Sequence, residues 1–233
     1  MATDQMIDYD ELVTMLAGGR FSITESADQV EIINEGLRYF YAAHDWSFLY
    51  NTTTLSVTAS EATTDLPSDF SQMTDPFSYE PDEYRSSPIQ VESHIIRERR
   101  AINDYTSHPR MFAITTDDFV AGTGERWKVM WYPLPCEDYT MYYRYRATPT
   151  IPVSGEVMRG DPRFSLAASY CVMAAAASYE KDQDNYYAEQ RDKAMATAIQ
   201  QDKDRFIGTH IADLAEPQYH EYIVHSTWIQ ESS

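Results

Sequence analysis

The sequence has few of the residues on which metal sites and catalytic sites usually depend. Its 233 residues include only two cysteines, Cys136 and Cys171, and neither lies in a CxxC pair or a Cys/His cluster, which argues against a zinc site. Two isolated cysteines in a chain without a leader are typical of reduced thiols in a cytosol. The sequence contains no G-x-S-x-G element and no Cys/His nucleophile pattern. We therefore predict no cofactor, no metal and no enzymatic activity.

Basic residues are scarce as well. Lysine and arginine number 18 against 37 aspartates and glutamates, so the formal net charge is −19 at pH 7. Such a surface repels the phosphates of nucleic acids and of anionic membranes, and sequence-specific DNA binding is therefore not expected. The same charge suits the wall of a channel past which DNA slides without sticking, although solubility is the commoner reason for an acidic surface.

Long hydrophobic runs are also missing. The longest apolar run covers residues 171–177, which is far too short to span a membrane. Residues 1–4 contain neither the basic region nor the start of an apolar region that a secretory signal requires. We therefore expect no signal peptide and no membrane partner.

Aromatic residues, by contrast, are abundant. Hydrophobic residues make up 43% of the chain and aromatic residues 13%, which is enough for a folded core. Tyrosine alone accounts for 18 residues. Its apolar ring and polar hydroxyl suit protein interfaces, but tyrosine also fills solvent-facing strand positions well. The composition favours neither interpretation.

The N-terminal part of the sequence predicts two helices. The first covers residues 6–17. The second begins near Ser22, because Ser22 and Glu25 have the spacing of a capping box, and it runs to about residue 45 with apolar residues recurring on one face. His44 lies on that apolar face, where a histidine more often packs in a core or interface than binds a ligand.

Two more helices are predicted in the C-terminal part. An alanine-rich helix opens at Asp161 and Pro162, which suit the N-cap and the first helical position. The last helix spans about residues 186–205, and Gly208 is expected to stop it. Residues 209–233 show no sustained period but are too apolar for an idle tail. We expect them to pack on their own domain or on a partner.

The middle of the sequence predicts strands. Apolar and polar residues alternate over residues 53–59, 127–131 and 139–146, and residues 111–115 form a further strand. The connections between the last three strands are too short for crossover helices, so we expect an antiparallel meander. Residues 74–88 are rich in proline and acidic residues and are predicted as a loop or an irregular edge.

Residues 89–105 are ambiguous between a strand and a short helix, and they contain the only basic run of the sequence. Arg97, Arg99 and Arg100 fall within four residues. A contact with phosphate is conceivable. We interpret the run instead as a local salt-bridge face against acidic surroundings, because isolated basic clusters are usually solvated faces.

Three other patterns are weak signals for chemistry. Asp117 and Asp118 could act as paired carboxylates, but adjacent acids arise by chance in a chain with 37 of them. Residues 122–124 read Gly-Thr-Gly without the third glycine or the helix of a phosphate loop, so a hairpin turn is favoured. His220 and His225 stand five residues apart instead of the four that a helical zinc motif needs.

The order of elements predicts an α+β fold. Residues 1–46 and 160–207 are expected to form a helical bundle, and residues 47–159 an inserted antiparallel β module of sandwich or barrel-like form. Residues 208–233 are expected to form an extended C-terminal arm.

Several short strings of the sequence also occur in a characteristic order. They are HDWSFL at residues 44–49, the threonine-rich strand at 51–57, DLPSDF at 65–70, WYPLP at 131–135, YTMYYRY at 139–145 followed by Pro149, and the alanine-rich helix up to residues 179–180. In this order they resemble head-to-tail adaptor proteins of tailed phages, particularly short-tailed ones, whose turn is typically LPxDF. The resemblance covers about residues 6–205. Where the family usually has Gly-x-Pro, this sequence has Ser-His-Pro at residues 107–109.

The resemblance implies a structural protein of the virion neck, made in the host cytoplasm. Proteins of this family form a ring, commonly of twelve copies, beneath the portal protein after genome packaging. They extend the channel for double-stranded DNA and dock tail nozzle, tail tube or fibre proteins. The implied fold is a helical bundle that carries a β sandwich or barrel-like module. Another tail or neck component, or a carbohydrate-binding tail protein that stacks exposed tyrosine and tryptophan on sugars, stays open as an alternative.

The resemblance and the positions of the aromatic residues together suggest two sets of candidate contact residues. The C-terminal arm is expected to bind the portal, for example by adding a strand to an exposed sheet edge, through Phe206, Ile207, Tyr219, Tyr222, Ile223, Val224, Trp228 and Ile229. The aromatic strands are expected to supply tail docking or ring contacts through Trp127, Trp131, Tyr142 and Arg144.

Overall fold

The computed structural model describes residues 6–18, 20–80, 86–120, 124–181 and 185–206. The chain divides into two compact units. One comprises Met1–Met15 and Tyr41–Pro162, and the other comprises Leu16–Phe40 and Arg163–Ser233. The predicted α+β class is confirmed. In the part of the chain that is described, no helix combines the length and the apolar character needed to cross a membrane.

Four helices lie towards the ends of the chain, and the strands fill the middle together with one further helix. The helices are α1 (Tyr9–Ala17), α2 (Ser26–Ala42), α3 (Ser93–Ile102), α4 (Ser165–Tyr179) and α5 (Tyr186–Phe206), with 3-10 turns at Ser47–Leu49 and Pro162–Phe164. The strands are β1 (Tyr50–Val57), β2 (Thr63–Asp65), β3 (Phe70–Ser78), β4 (Ile89–Gln90), β5 (Thr106–Ser107), β6 (Met111–Val120), β7 (Gly124–Tyr132), β8 (Leu134–Pro135) and β9 (Tyr139–Ala147).

Two main sheets form the β module, with strand orders β1-β9-β3 and β2-β7-β6-β4. The predicted meander is wrong in one respect. β6 and β7 form the expected antiparallel hairpin, but β9 pairs with β1 and β3 in the other sheet. The short strands β4 and β5 pair in parallel with β6 and β8, so the module is not purely antiparallel.

The two sheets enclose one hydrophobic core. Phe77 of β3, Phe112 of β6 and Trp131 of β7 are fully buried in it, and the Phe77 ring centroid lies 4.9 Å from that of Phe112 and 5.1 Å from that of Trp131. On the far face of the second sheet, α3 packs Ile96 against Ala113 and Tyr132. The packing of the two sheets on a shared core gives the module the sandwich form, one of the two forms predicted.

The segment predicted as a loop or irregular edge at residues 74–88 is partly a strand. β3 continues to Ser78, but it is an edge strand and its register against β9 shifts at three places. Pro76 lies within it, which is tolerated because an edge strand need not donate every backbone hydrogen bond. Residues 81–85 lie outside the described residues.

The helix starts near the N-terminus differ from the predicted ones. α1 begins at Tyr9 because Asp8 caps it: the Glu11 amide donates to Asp8 Oδ1 at 2.7 Å, and the Asp8 amide donates to Glu11 Oε2 at 3.3 Å. This reciprocal pair is the capping box of the N-terminal region. The box predicted at Ser22 is wrong, since Ser22 has φ 50° and α2 begins only at Ser26.

His44 is also placed differently from the prediction. α2 ends at Ala42, so His44 follows the helix and does not lie on its apolar face. Its ring meets that of the fully buried Trp46 edge-on at 5.0 Å between centroids. His44 therefore packs against a core residue, as predicted, but from the segment between α2 and the 3-10 turn at Ser47–Leu49.

The helical unit packs α2, α4 and α5 together. α2 and α4 approach closely at Gly36, where a Cβ atom would stand 2.5 Å from Val172 Cα. On α5, the guanidinium of Arg191 lies 4.5 Å from the ring centroid of Tyr39 of α2. The predicted C-terminal helices are confirmed as α4 and α5, with Pro162 opening a 3-10 turn just before α4.

Candidate functional site

The predicted contact residues Tyr142 and Arg144 lie on the solvent-facing side of the β1-β9-β3 sheet. Side chains of β9 alternate strictly: Tyr139, Met141, Tyr143, Tyr145 and Ala147 are buried towards the core. The intervening side chains of β9 therefore point away from the core. Together with Tyr50 of β1, these outward residues Tyr142, Arg144 and Arg146 form what we call the outer sheet face.

The outer sheet face is organised by one carboxylate. Arg146 Nε lies 2.7 Å from Asp45 Oδ1, and the Tyr50 hydroxyl donates to the other oxygen of the same carboxylate. Partial burial and this hydrogen bond to Asp45 raise the pKa of Tyr50. The guanidinium carbon of Arg144 lies 5.2 Å from the Tyr50 ring centroid, in cation-π geometry. The two arginines are therefore held in place before any partner arrives.

The chemistry of this face fits protein contact. Tyrosine and arginine, with tryptophan, are enriched among the few residues that carry most of the binding energy in interfaces, and Tyr142 keeps 40% of its surface exposed. Two arginines also stand out on a chain with a formal charge of −19. In charge, this face is complementary to an acidic protein surface.

Trp127 lies elsewhere, in an open groove at one end of the sandwich. The groove has a volume of about 640 Å3 and is lined by Phe70, Trp127 and residues 148–151, with Asp69 and Glu125 among its polar groups. The rings of Trp127 and Phe70 are 6.2 Å apart between centroids. Trp127 is half-buried there, so it keeps the surface that its predicted contact role requires.

Trp131 requires a correction. It was predicted on the same face of its strand as Trp127, and the alternation is right, but Trp131 has no exposed surface. Its indole nitrogen donates to the Thr64 hydroxyl at 2.9 Å inside the module. A side chain that is enclosed in this way offers nothing to a tail protein, so its role is to fill the core.

Asp69 ties the sheet to the segment that follows β9. The Tyr145 hydroxyl donates to Asp69 Oδ1 at 2.8 Å and accepts from Asn51 Nδ2 at 3.1 Å. Arg159 completes the network with Asp69 Oδ2 at 3.3 Å and Asn51 Oδ1 at 2.7 Å. The next residue, Phe70, enters the core. The DLPSDF string thus acts as a structural corner.

The weak chemical signals do not converge on a catalytic arrangement. The Asp117 carboxylate pairs with Lys128, and Asp118 accepts a hydrogen bond from the adjacent Phe119 amide, so the two acids do not share a site. Residues 122–123 lie outside the described residues, but the strands they join form the expected hairpin. Within the described residues, no three His, Cys, Asp or Glu side chains are grouped so that they could hold a metal ion.

The basic run lies on α3, where Arg97 and Arg99 are exposed, as the predicted solvated face requires, and the charge of Asp104 acts on Arg100. Arg97 donates to Ser93 Oγ at 3.0 Å, and the half-buried Arg100 donates to the carbonyls of Ala62 and Trp131. None of the three arginines forms an ion pair with a described residue. Arg100 thus joins the C-terminal half of α3 to the backbone of Ala62 and of β7, which is a structural role.

Most of the predicted arm residues lie outside the described part of the chain, and three residues at the outer sheet face were not predicted. Phe206 is the last residue of α5, and Ile207, Tyr219, Tyr222, Ile223, Val224, Trp228 and Ile229 lie outside the described residues, as do Gly208, His220 and His225. Sequence reasoning missed Asp45, Tyr50 and Arg146. The only available signal was that Arg146 continues the outward alternation of its strand.

Residues 7–213 match the sequence model of a family described as SU10 adaptor protein. The matched region contains every helix and strand given above, and with them the outer sheet face and the groove at Trp127. It extends past α5 and stops within the segment that lies outside the described residues. A comparison with curated proteins found no match.

Proposed function

Because the chain belongs to the SU10 adaptor protein family, we propose that it forms a ring below the portal of a tailed phage and joins head to tail. Membership confirms the resemblance to phage head-to-tail adaptors and identifies a viral structural protein. The proposal adds the ring, the DNA channel and the docking of tail proteins. The observation that carries it is the match over residues 7–213. A non-enzymatic role in the virion neck, after synthesis in the host cytoplasm, is part of the same proposal.

The acidic charge of the chain supports the proposed role as the wall of a DNA channel. With 37 acidic against 18 basic residues, a ring of several copies would surround DNA with negative surface. DNA phosphates are repelled by such a wall, so the duplex passes without binding to it. Acidic proteins of other functions share this charge, and it therefore supports the proposal only together with the family match.

A ring requires two different surfaces on each copy, because its contacts are heterologous. The outer sheet face supplies one of them in this proposal. Its arginines are positioned by Asp45 and Tyr50, and its partner is an acidic surface on the next copy or on a tail protein. We propose twelve copies, as is common in the family, and the groove at Trp127 as a further docking surface for tail proteins.

Charge reversal on the outer sheet face is expected to impair assembly. The double variant Tyr142→Ala/Arg144→Glu removes an exposed aromatic ring and a guanidinium from the predicted contact, and interface residues of these types each contribute on the order of 1–2 kcal/mol or more. We expect the concentration of chain that half-saturates assembly on the portal to rise at least about tenfold. Mass photometry of portal titrated with the chain measures this.

The matched control is Arg99→Glu, which makes the same charge change at an exposed position on α3. It is expected to leave assembly unchanged, and far-UV circular dichroism should show that both variants are folded. Equal impairment by Arg99→Glu would mean that net charge and not the outer sheet face controls assembly. Unimpaired assembly of the double variant would remove this face from the proposal.

Removal of residues 209–233 is expected to weaken binding to the portal while the rest of the chain stays folded. The reason is the apolar and aromatic content of this segment, which the remaining sequence cannot replace. Pull-down of the truncated chain by immobilised portal gives the result directly, and the full chain serves as reference. Undiminished binding of the truncated chain would contradict the proposed portal-binding arm.

Mass photometry of the unmodified chain, alone and mixed with portal, tests the function as a whole. A chain that converts to a ring-sized complex on the portal supports the adaptor role. A chain that ignores the portal contradicts that role. In that case a glycan array, followed by replacement of Trp127, tests the carbohydrate-binding alternative.

A further inference from the structure

A groove runs between the two C-terminal helices. Its lining residues are Arg163 in the 3-10 turn before α4, Leu166, Ala167 and Tyr170 at the start of α4, and Gln190, Lys193, Ala194, Thr197, Ala198 and Gln201 along α5. The set on α5 follows the i, i+3, i+4, i+7 spacing of a single helical face. The space between them has a volume of about 330 Å3. We call this the α4/α5 groove.

The groove is left open because the rest of the helical unit packs on other sides of these helices. Val172 of α4 meets Gly36 of α2, and Arg191 of α5 stacks on Tyr39 of α2. Arg191 lies two residues from Lys193, which places the two side chains on nearly opposite sides of α5. Leu166, a large aliphatic residue in the groove, keeps 62% of its surface exposed.

The charge of the groove is opposite to that of the chain. Arg163 and Lys193 are among its ten lining residues, and none of those ten is acidic. In the whole chain, acidic residues outnumber basic ones about two to one. Small side chains at Ala167, Ala194 and Ala198 let another backbone approach closely. The groove therefore fits a segment that is both apolar and acidic.

The chain itself contains such a segment immediately beyond α5. Residues 207–233 hold four acidic residues and no lysine or arginine. They also hold nine large apolar or aromatic residues, six of them from Tyr219 to Ile229. α5 ends at Phe206, only five residues after Gln201 of the groove. The segment thus leaves the described chain about one and a half helical turns beyond the groove lining.

We propose that residues 207–233 dock in the α4/α5 groove of their own chain while the protein is free. The lining of α5 from Gln190 to Gln201 measures roughly 16 Å along the helix axis, which a small part of the segment can cover even in a helical form. A tether this short gives an effective concentration of about millimolar or above. Docking covers Leu166 and the aromatic residues of the segment, and it pairs acidic side chains with Arg163 and Lys193.

This inference goes beyond the proposed function, since it concerns the free chain and needs no portal. Hydrogen exchange of the full-length chain, read by mass spectrometry on peptides from residues 207–233, tests it. In the unmodified chain we expect these amides to exchange at least about tenfold more slowly than in an unstructured peptide. Leu166→Glu/Lys193→Glu should remove this protection while α4 and α5 stay protected, because both side chains are exposed.

The matched control is Ile102→Glu/Arg99→Glu on α3, which makes the same changes at an 82% exposed isoleucine and an exposed arginine. It should leave the protection intact. Should the groove variant lose helical protection, Glu216→Lys/Glu221→Lys alters only the docking segment and is expected to give the same loss. An unprotected segment in the unmodified chain would overturn the proposal, as would protection that survives both variants or that grows with protein concentration.

Discussion

Replacement of Trp131 by alanine is expected to lower the free energy of unfolding by about 3–5 kcal/mol. The indole is fully buried between the two sheets, with ring centroids of Phe77 and Phe112 at 5.1 Å and 6.2 Å. Its removal leaves a cavity that close-packed neighbours on two sheets fill only in part. It also leaves the Thr64 hydroxyl without the donor that now lies 2.9 Å away.

Trp127→Ala is the matched control on the same strand. Trp127 is half-buried at the open groove, so its loss removes less packing and is expected to cost about 1–2 kcal/mol. Urea unfolding followed by far-UV circular dichroism measures both variants. Equal losses for the two would contradict the division into a core tryptophan and a surface one.

Gly36→Ala is expected to destabilise the helical unit by about 2 kcal/mol, although alanine normally stabilises a helix relative to glycine by about 1 kcal/mol. A Cβ atom at this position would stand 2.5 Å from Val172 Cα and 2.7 Å from Val172 N. Both are backbone atoms, so no rotation of a side chain can relieve the overlap. α2 and α4 must move apart, which opens their packed interface.

Glu35→Ala, one residue earlier on α2, provides the comparison. Glu35 is exposed, so this substitution changes helix propensity without changing the contact with α4 and is expected to shift stability by less than about 0.5 kcal/mol. The midpoint and slope of urea unfolding, followed at a helix-sensitive wavelength, give the free energies. A Gly36→Ala chain as stable as the unmodified one would show that α4 does not approach α2 as closely as described.

The strands show where sequence reasoning is reliable. Alternation along residues 53–57 and 139–146 predicted which side chains are buried, and the structure confirms it at Leu55, Val57, Met141 and Tyr143. Period-two burial is a local property, because successive side chains of a strand point to opposite faces. The pairing partner of β9 was missed, since short connections limit the choice of a neighbour without fixing it.

The candidate site shows the complementary failure. Tyr142 and Arg144 were found because they stand out on the polar side of an alternating strand. Asp45 and Tyr50 were not, because a carboxylate that bridges residues of two strands is visible only once the register of β1 against β9 is known. The predicted start of α2 was wrong for a related reason. The spacing of Ser22 and Glu25 suits a capping box, but Ser22 adopts a left-handed φ and the helix starts later.

By itself the sequence determined the α+β class, most helices and strands, the acidic character, and a resemblance to phage adaptors that the family match confirms. These depend on local periodicity, on composition and on short ordered strings. Only the tertiary structure decided that Trp131 is core while Trp127 is not, that β9 joins β1 and β3, and that a basic groove lies between α4 and α5. The burial of a side chain, the pairing of strands and the shape of a groove depend on contacts between residues that are far apart in the chain. No local sequence pattern encodes the distances between such residues.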